Sequence, residues 1–328
     1  MELGYAFSSE EHAPLDLVRH AAAAERAGFR FGLISDHFHP WIDEQGHSPF
    51  VWSVLGAIAN ATESFTIGTG VTCPTIRVHP AIVAQAVATC ACLMPGRFFV
   101  GVGTGENLNE HILGDKWPAP DERLEMLEEA VQVLRTLWQG GMQTHRGKHY
   151  TVENARVYDL PDEPISIAVA AAQPLAAELA GRVGDALITV TADEDIVDEF
   201  KQAGGQGPVY AQFHVCWHED EQKARKLAHQ LWPTAGLQGA ASQELALPEH
   251  FEQAAANVGE DDVAESVVCG PDPERYLEKV EEFERAGATH VYVHQIGPDQ
   301  DGFFDFAKRE LLPRLQRSAS SAQSLPRK

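Results

Sequence analysis

An acidic residue, an imidazole and an indole lie close together early in the chain, as Asp36, His37 and Trp41. A neutral imidazole is a suitable general base near neutral pH, and a carboxylate beside it can orient it. The apolar run at residues 31–34 directly precedes this group and predicts a β-strand. Because chemistry clusters where such strands end, we expect an active site here.

A glycine-rich segment forms a second candidate site. Residues 101–106 read Gly-Val-Gly-Thr-Gly-Glu and end another apolar run. The segment offers several backbone N–H groups to an anion or a ring edge, with one carboxyl group beside them. Two strand ends of this kind suggest a single active site built from βα loops.

Strand-like and helix-like segments alternate along the chain and would position these groups. The strand candidates are residues 3–7, 31–35, 65–72, 98–103, 165–170, 186–190, 209–216 and 290–294. The helix candidates are residues 15–26, 49–61, 80–93, 123–138, 175–183, 195–202, 220–230 and 273–286. Parallel strands joined by helical crossovers predict an α/β fold, a (β/α)8 TIM barrel with insertion segments, because a doubly wound sheet of this size would be unusually wide.

The barrel is expected to form one domain over residues 1–315. Three insertions interrupt its rhythm: a long loop near residues 107–121, a hairpin near residues 143–159, and a segment near residues 232–260 that consists of a loop at 232–247 followed by a further helix. Long loops at the catalytic face usually cover substrates. The tail at residues 316–328 is polar and serine-rich, and we expect it to be disordered.

The chain carries 48 acidic and 25 basic residues, a net charge of −23. Such a surface repels phosphate backbones and anionic lipids, so nucleic acid and membranes are not expected as partners. The sequence has no apolar run long enough to span a bilayer and no secretory signal, so a soluble cytoplasmic protein is expected.

Metal binding is not expected either. His39, His47, His79 and His111 show no ligand-like pairing. The five cysteines are odd in number and lie in apolar surroundings, which predicts buried free thiols.

Three motifs together resemble a known family. They are Ser-Asp-His-Phe-His-Pro-Trp at residues 35–41, Gly-Thr-Gly-Val-Thr-Cys-Pro at 68–74, and Gly-Val-Gly-Thr-Gly-Glu-Asn-Leu-Asn-Glu at 101–110. The chain resembles the luciferase-like flavin and deazaflavin superfamily, and within it the coenzyme F420-dependent glucose-6-phosphate dehydrogenase group. The resemblance covers about residues 3–315. Either the first or the last motif alone would be weak, whereas their joint occurrence is specific.

The resemblance implies an oxidoreductase that transfers a hydride between a substrate carbon and C5 of the deazaflavin of F420. His37 would be the base for the substrate hydroxyl, and Glu106 the acid beside the N1/C2 carbonyl region of the ring. Trp41 would form a wall for the substrate. Glu10 matches a further active-site carboxylate, which would bond the substrate or tune the imidazole.

The resemblance also implies a cofactor site. Asp36 would contact the deazaflavin or orient His37, and the Gly70–Val71 bond would be a non-prolyl cis peptide against the central ring. The phosphate and side chain of the cofactor would meet the helix that begins at Pro174. Further cofactor contacts would come from Thr104, Gly105, Glu106, Asn107, Ala171, Ala172 and Gln173.

One departure from the family concerns the substrate. Sugar-phosphate members hold the phosphate with basic residues, but the matching places here carry Asp193, Gln253 and Glu265-Ser266. A buried dianion without a counter-charge is costly, so a neutral alcohol, sugar or ketone is expected. The alternatives are a sugar-phosphate dehydrogenase, an FMN-dependent monooxygenase with FMN as cofactor, and a binding barrel without activity.

Each site residue also has a plainer interpretation. Asp36 and His37 could be idle loop residues, Glu106 could cap the next helix, and Gly70 could be an ordinary strand glycine. Glu10 has Glu11 as its neighbour, and surface carboxylates are common in this chain. The small residues of the helix at 80–93 favour a homodimer.

Overall fold

The structure, a computed structural model, describes residues 1–237, 239 and 241–316. The disordered tail expected at residues 316–328 lies, from residue 317 onward, outside the described residues. The strands are β1 (Glu2–Phe7), β2 (Phe31–Ile34), β3 (Thr66–Thr69), β4 (Phe98–Val102), β5 (Gln143–Arg146), β6 (Thr151–Ala155), β7 (Ile167–Ala170), β8 (Ala186–Thr189), β9 (Val209–Cys216), β10 (Val267–Cys269) and β11 (His290–Gln295).

Helices connect these strands. They are α1 (Pro14–Ala27), α2 (Val51–Ala61), α3 (Pro80–Leu93), α4 (Asn107–Glu110), α5 (Pro120–Leu137), α6 (Pro174–Val183), α7 (Glu194–Gln202), α8 (Glu221–Leu231), α9 (Ala241–Glu244), α10 (Pro248–Ala255), α11 (Glu260–Ser266), α12 (Pro273–Arg285) and α13 (Gln300–Phe306). Several begin with proline, whose missing N–H costs nothing in the first turn. Within the described ranges, every helix is too short or too polar to cross a bilayer.

Eight parallel strands close into a ring in the order β1-β2-β3-β4-β7-β8-β9-β11, and β11 pairs again with β1. The predicted (β/α)8 TIM barrel is therefore confirmed. The hairpin expected near residues 143–159 is present as the antiparallel pair β5–β6. Around the ring, β9 lies opposite β3, and β11 lies opposite β4.

Side chains of each barrel strand alternate between two cores, as the period of a β-strand requires. On β2, Leu33 points into the barrel interior, whereas Ile34 packs under the surrounding helices. The interior is filled near its lower end by aromatic rings, with Phe99 stacked on Tyr210 at 5.1 Å between ring centroids. A Cβ atom at Gly68 would lie 2.3 Å from the ring of Phe99, so only glycine leaves room for this packing.

Several details differ from the sequence-based expectations. The expected loop at residues 107–121 contains the short helix α4 and a 3-10 turn, His111–Leu113, and α5 already begins at Pro120. The segment at residues 232–260 is likewise largely helical where described. Strand β10 was not predicted, because its three residues are too short to show a period. Four cysteines are buried free thiols as expected, but Cys92 is exposed on the outer face of α3.

Candidate active site

A cavity of about 580 Å³ lies at the carboxyl ends of the barrel strands. Its floor consists of apolar side chains that also belong to the barrel interior: Ala6, Leu33, Ile188 and Tyr292. His37, Trp41, Glu10 and Glu106, the residues expected to be catalytic, all line this cavity. A pocket of this size suits a ligand of cofactor dimensions.

His37 is held by the carboxylate of Glu10. The Nδ1 atom of His37 lies 3.2 Å from Oε1 of Glu10, and 3.3 Å from the carbonyl oxygen of His39. Both neighbours are acceptors, so Nδ1 carries the proton and Nε2 keeps its lone pair while the ring is neutral. Glu10 is fixed in turn by Ser8 and Ser35, whose hydroxyl groups each donate to Oε2 at 2.8 Å. Of its two expected roles, Glu10 therefore has the geometry for tuning the imidazole.

The other edge of the imidazole faces Glu106. Oε2 of Glu106 lies 3.9 Å from Nε2 of His37 and accepts a hydrogen bond of 3.1 Å from the side-chain amide of Asn109. The N-cap position of α4 is occupied by Glu106, but its carboxylate makes no capping hydrogen bond, which removes the plainer interpretation. Trp41 meets His37 edge to face at 5.0 Å between ring centroids and forms one wall of the cavity.

Asp36 occupies a different place from the one expected. Its carboxylate is buried behind the cavity wall, where it accepts hydrogen bonds from Thr72 at 2.8 Å and Arg77 at 2.9 Å, and it is not among the lining residues. No side-chain hydrogen bond joins Asp36 to His37 among the described residues. Glu10 contacts the imidazole of His37, whereas the lone pairs of Asp36 are directed to the loop after β3.

Arg77 links this carboxylate to a second one. Its backbone N–H donates to Glu110 at 2.7 Å, and its Nε atom lies 3.5 Å from the same carboxylate. Burial raises the pKa of Glu110 to about 7, although Arg77 opposes the shift, and the nearby charges of Glu106 and Asp36 add to it. One guanidinium shared by two buried carboxylates does not fully neutralise both.

Small residues form the wall between β3, β4 and β7. The Gly70–Val71 peptide is cis, as expected. Gly105 has a φ of 79°, and a Cβ atom there would lie 2.6 Å from Sγ of Cys73, so glycine is required at this position. The remaining expected contacts on this wall all line the cavity: Gly70, Val71, Thr104, Gly105, Ala171, Ala172 and Gln173.

Asn107, expected as a further cofactor contact, is not among the residues that line the cavity. Its side-chain amide donates to the carbonyl oxygen of Glu244 at 3.0 Å, on the surface and outside the cavity lining. Asn109, two residues later, is the amide that reaches the site, since it holds Glu106 and accepts from the backbone N–H of Phe38 at 2.9 Å. Both lie on one helical turn, which the sequence had indicated as a loop.

Arg123 is the single lysine or arginine side chain that lines the cavity among the described residues. It is buried, donates to Gln243 at 3.1 Å, and lies over the ring of Trp117 at 4.3 Å from the centroid. Of the positions compared with the family's basic residues, Asp193 caps α7, and Gln253 and Glu265 are exposed on α10 and α11. None of these three lines the cavity.

A second carboxylate–imidazole array was missed in the sequence. Glu11 lies 2.6 Å from Nε2 of His294, and Nδ1 of His294 lies 2.9 Å from Nδ1 of His214. Both histidines line the cavity. The sequence indicates this array only through the positions of His214 on β9 and His294 on β11. Side chains at alternate positions of a barrel strand share its inner face, so these two histidines can both face the interior.

Two similar proteins cover nearly all of this chain. The F420-dependent glucose-6-phosphate dehydrogenase of Mycolicibacterium smegmatis is 35% identical over 97% of this chain and 99% of the relative. The solved structure of an F420-dependent secondary alcohol dehydrogenase in complex with an F420-acetone adduct is 31% identical, has a TM-score of 0.87, and covers 94% of this chain and 98% of that chain.

A second solved structure extends the similarity of the fold. The coenzyme F420-dependent tetrahydromethanopterin reductase of Methanopyrus kandleri has a TM-score of 0.78 and covers 96% of this chain and 99% of that chain, but at 22% identity it shows the fold alone. Residues 1–290 of the chain match a protein family that is described as luciferase-like monooxygenase. Together with the barrel and the cavity at its carboxyl ends, this match shows that the chain belongs to the luciferase-like monooxygenase family.

Proposed function

We propose that the protein is an F420-dependent dehydrogenase that oxidises a neutral alcohol or sugar to the carbonyl compound, or catalyses the reverse reduction. The F420-dependent chemistry is supported by the relatives described above at 35% and 31% identity, which are both named for this cofactor. The neutral substrate is supported by the charges of the cavity. The observation that carries the proposal is His37, fixed by Glu10 with one nitrogen free to accept a proton.

The small-residue wall fits a planar deazaflavin. Gly103, Gly105, Ala171 and Ala172 present no bulky side chain to the cavity, so an extended ring can lie close to the backbone. At the far end, α6 begins at Pro174, and the side chain of its N-cap residue, Gln173, makes no capping bond. The first N–H groups of this helix are therefore suited to the phosphate and side chain of the cofactor.

When bound, F420 would supply the hydride acceptor, C5 of its deazaflavin ring. The departing hydride leaves the substrate hydroxyl strongly acidic, and His37 Nε2 accepts that proton. The imidazolium that forms is stabilised on one side by Glu10 and on the other by Glu106. Trp41 restricts where the substrate carbon lies relative to His37.

The charges in the cavity argue against a phosphorylated substrate. Glu10, Glu11 and Glu106 surround the imidazoles, and Arg123, the one lysine or arginine that lines the cavity in the described part of the chain, already bonds Gln243 and Glu244. A phosphate dianion near His37 would have no counter-charge of its own, and this is costly in a desolvated site.

A sugar-phosphate dehydrogenase is the second candidate, because the relative at 35% identity is named for glucose 6-phosphate. An FMN-dependent monooxygenase, considered from the sequence, is not favoured, because the relatives at 35% and 31% identity described above are both named for F420.

Absorbance of oxidised F420 tests these candidates. The purified protein and F420 are mixed separately with a panel of secondary alcohols and with glucose 6-phosphate. Bleaching by neutral alcohols or sugars but not by glucose 6-phosphate is expected. Bleaching by glucose 6-phosphate at a comparable kcat/KM would establish the second candidate, and failure to bind F420 would contradict both.

Homodimer formation and a cytoplasmic location stay predictions. Ile82 and Leu93 are exposed on the outer face of α3, the helix whose small residues suggested a homodimer. A sedimentation mass equal to one chain of 35.9 kDa would contradict the dimer.

A further inference from the structure

Two histidines that line the cavity, His214 and His294, and the buried Glu11 that bonds His294 form a polar group that the proposed hydride transfer does not use. Glu11 and His294 are nearly enclosed, with side-chain exposures of 4% and 3%, and Glu11 also accepts the backbone N–H of Gly297 at 3.1 Å. His214 is half-buried because one edge of its ring faces the cavity. The array therefore runs from the protein interior to the space where a substrate binds.

The hydrogen bonds leave one ring nitrogen of His214 available. Its Nδ1 atom is bonded to His294, and the ring packs against Trp232 at 5.4 Å between centroids. Among the residues that the structure describes, no side chain or backbone group bonds its Nε2 atom. A ring fixed by a neighbour on one nitrogen, with the other directed to a cavity, is arranged as a ligand-binding group.

Protonation limits what this nitrogen can bind. Burial would raise the pKa of Glu11, but the charge and hydrogen bond of His294 outweigh it and hold this pKa below its usual value. Glu11 is thus an acceptor, and Nε2 of His294 carries a proton. Burial also lowers the pKa of His214 to about 3, with His294 adding to the shift and Glu11 opposing it, so that His214 is neutral.

A neutral His214 presents either a lone pair or an N–H group at Nε2. The lone pair is presented when Nδ1 of His214 donates to a neutral His294, and the N–H group when a charged His294 donates instead. A hydroxyl group matches both arrangements, because it both donates and accepts. A carboxylate or phosphate matches only one of them, and it would meet the charge of Glu11 close by.

The position of the array places it on the substrate side. Strands β9 and β11, which carry His214 and His294, lie across the ring from β3 and β4, whose ends form the small-residue wall. His37 lines the same cavity from the end of β2. A molecule whose reacting hydroxyl contacts His37 can therefore direct a second polar group to His214.

We propose that His214, positioned by His294 and Glu11, binds a second hydroxyl group of the substrate, so that the substrates are neutral polyhydroxy compounds such as sugars and vicinal diols. This inference rests on the proposed dehydrogenase function. In the reaction, the carbinol carbon loses a hydride to F420 and its hydroxyl proton to His37, which gives a ketone and reduced F420. The second hydroxyl is bound without being changed.

A matched pair of substrates tests this inference. Cyclohexanol and trans-cyclohexane-1,2-diol offer the same kind of carbinol carbon and differ by one hydroxyl. Wild-type protein with F420 is expected to oxidise the diol with a kcat/KM about 10- to 100-fold higher, since a site built for a hydroxyl discriminates against its absence. His214→Leu should remove this preference, so that the diol and cyclohexanol have about the same kcat/KM on the same variant.

Further variants separate binding from folding. His214→Gln keeps a polar group and should retain part of the preference. His229→Leu removes an imidazole that bonds the carbonyl oxygen of Val258 outside the cavity, and it should keep the full preference. Glu11→Gln should reduce the preference and shift the ring-nitrogen resonances of His214 and His294. If Glu11 had a merely structural role, these resonances would stay in place.

Histidine ¹⁵N spectra of the protein without cofactor give a readout independent of turnover. Titration with the diol is expected to shift Nε2 of His214, and cyclohexanol at the same concentration is not. A shift without F420 bleaching would retain the His214 site and contradict the proposed function. Bleaching by both alcohols with equal kcat/KM, or an unchanged diol preference in His214→Leu, would overturn the inference and leave the dehydrogenase function standing.

Discussion

Oε1 of Glu10 lies 3.2 Å from Nδ1 of His37, so the carboxylate fixes both the ring orientation and the tautomer of the proposed base. The two residues come from the ends of neighbouring strands, β1 and β2, which pair in parallel register. The parallel pairing of these two strands, rather than a local motif, creates this pair.

Glu10→Gln is expected to lower the rate of hydride transfer by about 10- to 100-fold, because an amide can donate to Nδ1 and stabilise the unreactive tautomer. Single-turnover reduction of F420 measures this rate. Glu44→Gln removes a surface carboxylate outside the cavity and serves as the matched control. Equal rates for Glu10→Gln and wild type would show that the carboxylate does not act through His37.

His37→Ala should lower hydride transfer by roughly 10²-fold or more, because it removes the proton acceptor from the transition state. The affinity for F420 should change little, since the small-residue wall lies on other strands. Fluorescence titration gives the cofactor Kd, and stopped-flow absorbance gives the rate. An unchanged single-turnover rate would remove His37 from the mechanism.

Arg123→Gln should weaken F420 binding by about tenfold, because Arg123 is the one lysine or arginine that lines the cavity among the described residues, and its charge attracts an anionic cofactor side chain even while it pairs with Glu244. The affinity for a deazaflavin riboside without phosphate should remain nearly the same. Arg182→Gln on the surface, where Arg182 pairs with Glu128, is the control for loss of a positive charge. Equal weakening of both ligands would indicate distortion of the cavity instead.

Glu110 makes stability depend on pH. Its pKa is raised from 4.5 to about 7, so the folded protein binds more protons than the unfolded chain between these values. Stability therefore falls as the pH rises through this window, by about 3 kcal/mol from this group alone. Glu110→Gln keeps the shape without the charge, and it should raise the free energy of unfolding at pH 8 while changing it little at pH 5.

Urea unfolding of wild type and variant at both pH values measures this difference. Glu128→Gln, which changes an exposed carboxylate, supplies the control. The same difference in unfolding free energy at pH 5 and pH 8 would show that Glu110 is ionised throughout and that Arg77 alone neutralises it.

Much of the barrel could be predicted because each strand is a short apolar run followed by a helical period. The gathering of the candidate residues at one end of the barrel could also be predicted, since Glu10, His37, Trp41 and Glu106 lie at strand ends and line one cavity. These features depend on local sequence and on the rule that parallel strands end at the same edge.

The surroundings of Asp36 and Glu11 could not be predicted, because they depend on contacts between distant segments. Asp36 bonds Arg77, which lies beyond β3, and no local pattern indicates that this arginine turns back toward β2. Glu11 reaches His294 across 283 positions of sequence. A carboxylate in an acidic chain gives no sign of burial until the strand that carries its partner has closed the barrel.

Glu10 and Glu11 are consecutive residues, yet each holds a different histidine of the cavity. His37 and the array of His214 and His294 are thus both held by the same short backbone segment after β1. A one-residue insertion there would misalign both at once, whereas substitutions on β9 and β11 could change what the pocket accepts while the proton acceptor stays in place. New substrate ranges in such a barrel can therefore evolve on one side without rebuilding the other.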